Sequence, residues 1–281
     1  MVSAVEFVRA MRGHAQSLLL RCNDGYYYVV KFQNNPQHLR VLANEWLATG
    51  LARLLDLTVP PCQIVEVDPS FVATKIGTKI KVSDTECHPY ATGLQFGSRF
   101  LGGAMPGLAA VDYLPEDMLS EIVNLNEFCG ALIFDKWTCN WDGRQVIYTK
   151  KYGGKRFRAS FIDQGYCFNA GEWKFIDAPL AGVFARNLPY KRVTGWESFE
   201  PWLTIVELCS IDSIWKIAAT IPTAWYDGDR FALERLVEQL FARRSRIRDL
   251  IVKFRESSRL PFPDWKAKTS TTRNVCDCST S

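Results

Sequence analysis

Phe134-Asp135-Lys136-Trp137-Thr138-Cys139-Asn140-Trp141-Asp142-Gly143-Arg144-Gln145 is the stretch on which the reading of the chain turns. Apolar residues recur at helical spacing up to Trp137, and the pattern then breaks at Asn140–Gly143, which leaves an asparagine, an aspartate and an arginine in a loop before a strand. A carboxylate in such a loop suits proton acceptance from an attacking hydroxyl, and an arginine beside it suits neutralisation of phosphate charge. Asp142 and Arg144 are therefore the candidate catalytic pair. An Asn-x-Asp-Gly turn held by its own side chains accounts for the same residues without any chemistry.

Downstream, Arg144–Tyr148 and Arg156–Ile162 read as two short strands around a Lys-Tyr-Gly-Gly-Lys turn, and the second ends at Phe161-Ile162-Asp163-Gln164-Gly165. A carboxylate fixed at a strand end, across a hairpin from the Asp142 loop, suits Mg²⁺, which takes one or two carboxylates and completes its shell from phosphate and water. Asp163 is the candidate metal ligand.

Upstream, Ser17–Cys22 and Tyr26–Phe32 read as a β-hairpin turned at Asn23-Asp24-Gly25. The turn Arg12-Gly13-His14-Ala15-Gln16-Ser17 feeds the first strand and can lay backbone N–H groups over phosphates, so Gly13, Gln16 and Ser17 are expected on a nucleotide. Lys31, one strand later, can reach the same phosphates, and Glu45 on the following helix is placed to pair with it. That helix is predicted from an Asn35 cap and Pro36 through about residue 55, and Thr58-Val59-Pro60-Pro61 ends it. Two short strands at Gln63–Val67 and Phe71–Thr74 complete a small sheet. Gly93–Gly107 reads as a connector, Glu116–Trp137 as one long helix, and the chain beyond residue 180 as mostly helical up to Arg230–Arg255.

These residues, in this order, resemble the HipA-like kinases. Asn140-x-Asp142-Gly-Arg144-Gln145 with Ile162-Asp163-Gln164-Gly165-Tyr-Cys-Phe168 is similar to their catalytic and metal-binding segments. Tyr28-Val29-Val30-Lys31-Phe32, Leu42-Ala43-Asn44-Glu45 and Leu57-Thr58-Val59-Pro60 are similar to their N-lobe, and Pro189–Trp202 and Pro261–Trp265 also resemble members of the group. The resemblance implies an α+β, two-lobed protein-kinase-like fold with an N-lobe over 1–98, a C-lobe over 99–265 and a tail over 266–281 read as disordered. It implies ATP and Mg²⁺ between the lobes, Asp142 as base, Asp163 on metal, Lys31 on phosphate, and transfer to a protein Ser/Thr hydroxyl, the chain's own included. Some members pair with a DNA-binding antitoxin, so an antitoxin-like partner is implied too. The family commonly has a second metal-binding asparagine five residues past the aspartate, where this chain has Ile147. Asn140 or Gln145 is the candidate replacement. A weak nucleotide-binding pseudokinase and a small-molecule alcohol kinase stay open as alternatives.

Composition narrows the setting. A net charge of +4 is too small for a dedicated nucleic-acid binder. The arginines of Arg243–Arg248 sit against an apolar stripe and read as a solvated face, so direct nucleic-acid contact is not expected. Nine scattered cysteines, an odd number mostly in apolar context, read as reduced thiols, and Cys276-x-Cys278 is a weak metal signal. No apolar run reaches membrane-spanning length, and Met1–Arg12 lacks the apolar stretch of a secretion signal, so a cytoplasmic protein without membrane contact is expected.

Overall fold

The computed structural model describes residues 1–102 and 108–265. The readings of 266–281 as disordered and of Cys276 and Cys278 as a metal signal lie outside the described residues.

Strand β1 (Val2–Ala10) runs antiparallel to β2 (Leu18–Cys22), which turns at Gly25 into β3 (Tyr27–Lys31). After helix α1 (Val41–Leu54) come β4 (Cys62–Val67), helix α2 (Pro69–Lys75), a two-residue hairpin of β5 (Ile80–Lys81) and β6 (Cys87–His88), and β7 (Gly93–Arg99). The order β1-β2-β3-β7-β4 closes into a barrel because β4 pairs in parallel with β1. Alternate residues of these strands point inward, so Leu18, Leu20, Tyr28, Val30 and Val65 fill the interior with Phe71 and Tyr90.

Several elements differ from the pattern reading. The nine residues of β1, passed over in the sequence, are a barrel strand in which no residue is fully buried and Val5 and Val8 are exposed, so its apolar residues do not mark one buried face. Phe71–Thr74 is helical, since Asp68 caps the segment by accepting from Ser70 N–H and Pro69 holds its first turn. Gly93–Arg99, the first half of the expected connector, is a barrel strand with Gln95 and Phe96 buried, and residues 103–107 of that connector lie outside the described residues. Helix α1 starts at Val41, five residues later than expected, because Asn35 Oδ1 accepts from Gln37 N–H in a local turn instead of capping a helix.

Strand β8 (Leu108–Val111), helix α3 (Glu116–Ser120) and helix α4 (Glu127–Trp137) follow. The single helix expected over 116–137 is broken at Glu121–Asn126, where Asn124 Nδ2 donates to Ala159 O and Asn124 Oδ1 accepts from Ala159 N–H. Strands β9 (Gln145–Lys151) and β10 (Arg158–Ile162) form the predicted hairpin, with β8 on the outer side of β9. Helices α5 (Trp202–Leu208), α6 (Ile211–Ala218), α7 (Arg230–Arg243) and α8 (Ile247–Arg255) complete the described chain. None of the described helices is long and apolar enough to cross a membrane.

A second and larger core joins α4, α5, α7, α8 and the β9–β10 hairpin, and α1 belongs to it rather than to the barrel interior, together with Cys62 of β4 and Phe96 of β7 from the barrel's outer side. Val41, Leu42, Leu47 and Leu51 are fully buried there, and Trp46 Nε1 donates to Thr220 Oγ1 just beyond α6. Of the arginines read as a solvated face, Arg243 is buried and its Nε donates to Lys136 O (2.8 Å), whereas Arg246 and Arg248 are exposed and pair at the surface with Asp177 and Glu207. Six of the seven described cysteines are buried, and all seven are unpaired.

Close packing fixes the seat of α4. A Cβ on Gly130 would lie 2.5 Å from the Trp202 indole. Overpacking of this kind costs roughly 1–3 kcal/mol, more than the ~1 kcal/mol that alanine returns in helix propensity. Gly130→Ala is therefore expected to lower the urea midpoint of unfolding, and an unchanged or raised midpoint would show that Trp202 can yield.

Candidate active site

Lys31 ends β3 in register with Phe96, and its side chain is 9% exposed. Its ammonium lies 2.5 Å from Glu45 Oε1 on α1 and 2.7 Å from Asp163 Oδ1 just past β10. Three segments far apart in sequence thus meet on one nitrogen. Burial works against this ammonium, but the two carboxylates outweigh it and hold the lysine above its usual range. The carboxylates share one cation and are affected unequally. Burial and the neighbouring Asp163 charge push Glu45 up, whereas Lys31 overcomes the burial of Asp163 and holds it down, so Asp163 is the firmly anionic member.

Asp163 sits at φ +60°, a left-handed conformation that aspartate tolerates better than most residues. Glu45 Oε2 accepts from Gln164 N–H (3.1 Å), and Gly165 packs so closely that a Cβ there would lie 2.8 Å from Val41 Cγ2. The absence of a side chain at Gly165 thus permits close approach to α1.

Asp142 is exposed in the loop between α4 and β9. Its Oδ1 accepts from Gly143 N–H (2.8 Å), and Asn140 Oδ1 accepts from Asp142 N–H (3.3 Å). The local turn suggested by the sequence is therefore real, and it fixes the aspartate while leaving Oδ2 toward the cleft. Gln145 Nε2 reaches Asp163 Oδ2 at 3.1 Å and, more weakly, Asp142 Oδ2 at 3.4 Å, so one amide spans the two carboxylates. A cavity of about 770 Å³ opens over them, lined by Gly13, Ser17, Lys31, Asp142, Gln145 and Asp163 among others. Ile147 also lines it, as an apolar wall.

Three candidates do not face this cavity. Arg144, expected on phosphate, is turned beneath the loop with its side chain 1% exposed. Its guanidinium pairs with Asp135 and donates to Ile162 O (3.0 Å) and Gln164 Oε1 (2.8 Å), because a buried aspartate on α4 is a nearer partner than any solvent-facing anion. Gln16 supplies a brace: its amide donates to Lys81 O (2.6 Å) and accepts from Lys81 N–H (2.7 Å). Asn140 is buried, donates to Asp135 Oδ1 (3.0 Å) and has its oxygen engaged by Asp142 N–H.

The turn over 11–17 is shaped from outside. Met11 N–H donates to Ser17 O, Asn35 Nδ2 to Ala15 O, and the Tyr90 hydroxyl to Gln16 O. The sequence marks Asn35 only as a helix cap and gives no role to Tyr90, Asp135 or Gln164. Asn44 and Gln164 stand inside the quoted motifs, and that adjacency was the available signal.

Removing Arg144 strands a buried carboxylate. Arg144→Ala is expected to cost roughly 3–5 kcal/mol in denaturant unfolding, with Asp135→Leu/Arg144→Met recovering most of it. A small effect of the single change would show the pair to be dispensable. Lys136, 2% exposed, donates to Ala181 O (2.7 Å), and burial lowers its pKa from 10.5 to about 8. Between those values the unfolded chain holds a proton that the folded chain has released, so stability from this group rises with pH. Wild type should gain on Lys136→Met in urea midpoint as pH rises through about 8; a constant difference would exclude the lysine as the source.

Comparison with known proteins identifies the fold and the family. The structure is similar to a Helicobacter pylori proinflammatory kinase CtkA, with TM-score 0.56 and 14% identity over 87% of this chain and 93% of that one. It is also similar to the Golgi casein kinase, with TM-score 0.53 and 12% identity over 92% of this chain and 75% of that one, and to the same kinase with Mn/ADP bound. At such identities the likeness is one of fold, and the fold is kinase-like. No curated protein sequence matches the chain. The family model described as HipA-like kinase matches residues 5–150, just over half of the sequence, and the chain belongs to that family.

Proposed function

We propose that the chain is an ATP-dependent kinase that transfers the γ-phosphate of ATP to a protein Ser/Thr hydroxyl, its own or that of another protein, using Mg²⁺. The observation that carries this reading is the convergence of Lys31, Glu45 and Asp163 at 2.5–2.7 Å, with Asp142 joined to Asp163 through Gln145. Phosphoryl transfer needs positioned charge rather than covalent help from the protein, and this arrangement is positioned charge.

In this reading residues 1–98 are the N-lobe and residues 99–265 the C-lobe, with ATP between them. Lys31, kept extended by Glu45, engages the nucleotide phosphates, while backbone N–H groups of the braced turn around Gly13 cover them. Asp142 orients the acceptor hydroxyl and takes its proton as the acceptor oxygen bonds to the γ-phosphorus and the bond to the leaving ADP oxygen breaks.

The donor set fits a divalent cation completed by phosphate oxygens. Among the described residues no cluster of three or more His, Cys, Asp or Glu could hold a metal by itself, whereas Asp163 and the Gln145 amide face the cavity together. Gln145 is the better replacement for the missing asparagine, because the Asn140 oxygen is engaged elsewhere. The cation would neutralise charge on the phosphates. A structural neighbour solved with Mn/ADP supports nucleotide and metal use. Buried unpaired thiols fit a cytoplasmic location, and an antitoxin-like protein is the partner class that the family adds.

Intact-mass spectrometry after incubation with ATP and Mg²⁺ tests the reading. The wild type should gain one or more phosphoryl groups and Asp142→Asn none. If the wild type gains nothing and phosphorylates no protein in a cell extract, the transfer reading fails and a nucleotide-binding regulator takes its place.

A further inference from the structure

Asn44 has a polar environment that no role described so far uses. It is fully buried on α1, one residue before Glu45. Its Nδ2 lies 2.9 Å from Gly165 O, 2.8 Å from Cys167 O and 2.8 Å from Ala170 O, and its Oδ1 accepts from Trp173 Nε1 at 2.7 Å. Two amide hydrogens are thus shared among three carbonyls from one loop, and the indole fixes which way the amide points.

That loop needs holding. Asp163, Phe168, Asn169, Ala170 and Trp173 all have φ between +52° and +62°, a region that side-chain-bearing residues avoid. His38 Nε2 at 2.9 Å from Gly165 O and Arg40 Nη1 at 3.1 Å from Gly171 O add to the grip from just before α1. Glu45 takes the remaining donor, Gln164 N–H. The chain on the C-terminal side of Asp163 is therefore gripped by consecutive residues of a single helix. Because α1 is seated in the helical core, that grip belongs to the larger body of the molecule and not to the barrel that carries Lys31.

We infer that Asn44 is a positioning residue which fixes the Asp163 carboxylate for the divalent cation, leaving Lys31 and the nucleotide-covering turn to the barrel. The inference rests on Asp163 being the metal ligand. Outer residues that orient a metal-binding group typically change metal affinity about 10–100-fold when removed. Nucleotide affinity without metal depends on Lys31, Glu45 and the turn at 12–17, and should change little.

The test is Mn²⁺ binding to the full chain saturated with a non-hydrolysable ATP analogue, read from the free-Mn²⁺ electron paramagnetic resonance signal. Metal-free affinity for the analogue is measured in parallel. Asn44→Asp keeps the size and the acceptor for Trp173 but turns oxygen toward three carbonyls. Trp173→Phe keeps the ring packing and frees the amide, and decides the matter if Asn44→Asp does not fold. A loss of Mn²⁺ affinity of about tenfold or more, with metal-free analogue affinity within about twofold, is the expected result. Unchanged Mn²⁺ affinity in the folded variants would overturn the inference, as would an equal loss of both affinities, which marks a general structural role. Asp163→Asn separates the two levels: if it leaves Mn²⁺ binding intact, the metal reading itself fails, whereas if it abolishes binding and the Asn44 and Trp173 changes do not matter, only the role of Asn44 falls.

Discussion

One buried ammonium, Lys31 Nζ, organises the centre of this molecule. It is shared by Glu45 from a helix and Asp163 from a loop, and its own strand belongs to a barrel. Attraction at this depth is poorly screened, so the contact is specific, but it holds only because the carboxylates have further partners. Glu45 also receives Gln164 N–H, and Asp163 also receives the Gln145 amide. Without those bonds the desolvation of two anions around one cation would not be offset.

A second buried pair, Asp135 with Arg144, performs the complementary task beneath the surface. Asp135 stands on α4, and Arg144 spans from it to Ile162 O and Gln164 Oε1, so the loop carrying Asp142 and the loop carrying Asp163 share one support. Arg144 and Asp142 are two residues apart and have opposite fates. The arginine is buried by a charge partner, and the aspartate stays exposed at the cavity. The turn over 11–17 is held in a similar way, by Tyr90 and Asn35 bonding its backbone carbonyls and by its own Gln16 side chain bonding Lys81.

The division of the cores gives these contacts their mechanical meaning. The barrel has its own apolar filling, and α1, although it lies between barrel strands in sequence, packs into the helical body. Lys31 is consequently the one member of the central triad carried by the barrel. Cleft geometry depends on how that strand meets a helix and a loop that are already bonded to each other through Asn44, Glu45 and Gln164.

Local patterns in the sequence were enough for the β2–β3 hairpin, the β9–β10 hairpin, the break before Asp142, the strand-end Asp163 and the pairing of Lys31 with Glu45. Each depends on a turn signal or on spacing within one or two elements, and the ordered set carried the family. The sequence did not reveal the nine-residue β1, whose apolar residues do not mark one buried face, or the true start of α1, where Asn35 bonds its own neighbour. It also misjudged several polar residues whose partners are supplied by other elements. Arg144, Gln16 and Arg243 read as available, yet Asp135, Lys81 and the Lys136 carbonyl claim them, while Arg246 and Arg248 stay exposed as read. Residue type and spacing determined which chemical groups this protein possesses and in what order. Which of those groups faces the cleft was decided only by tertiary structure, because a charged side chain goes to the nearest partner that can offset its burial, and nearness is a property of the folded chain.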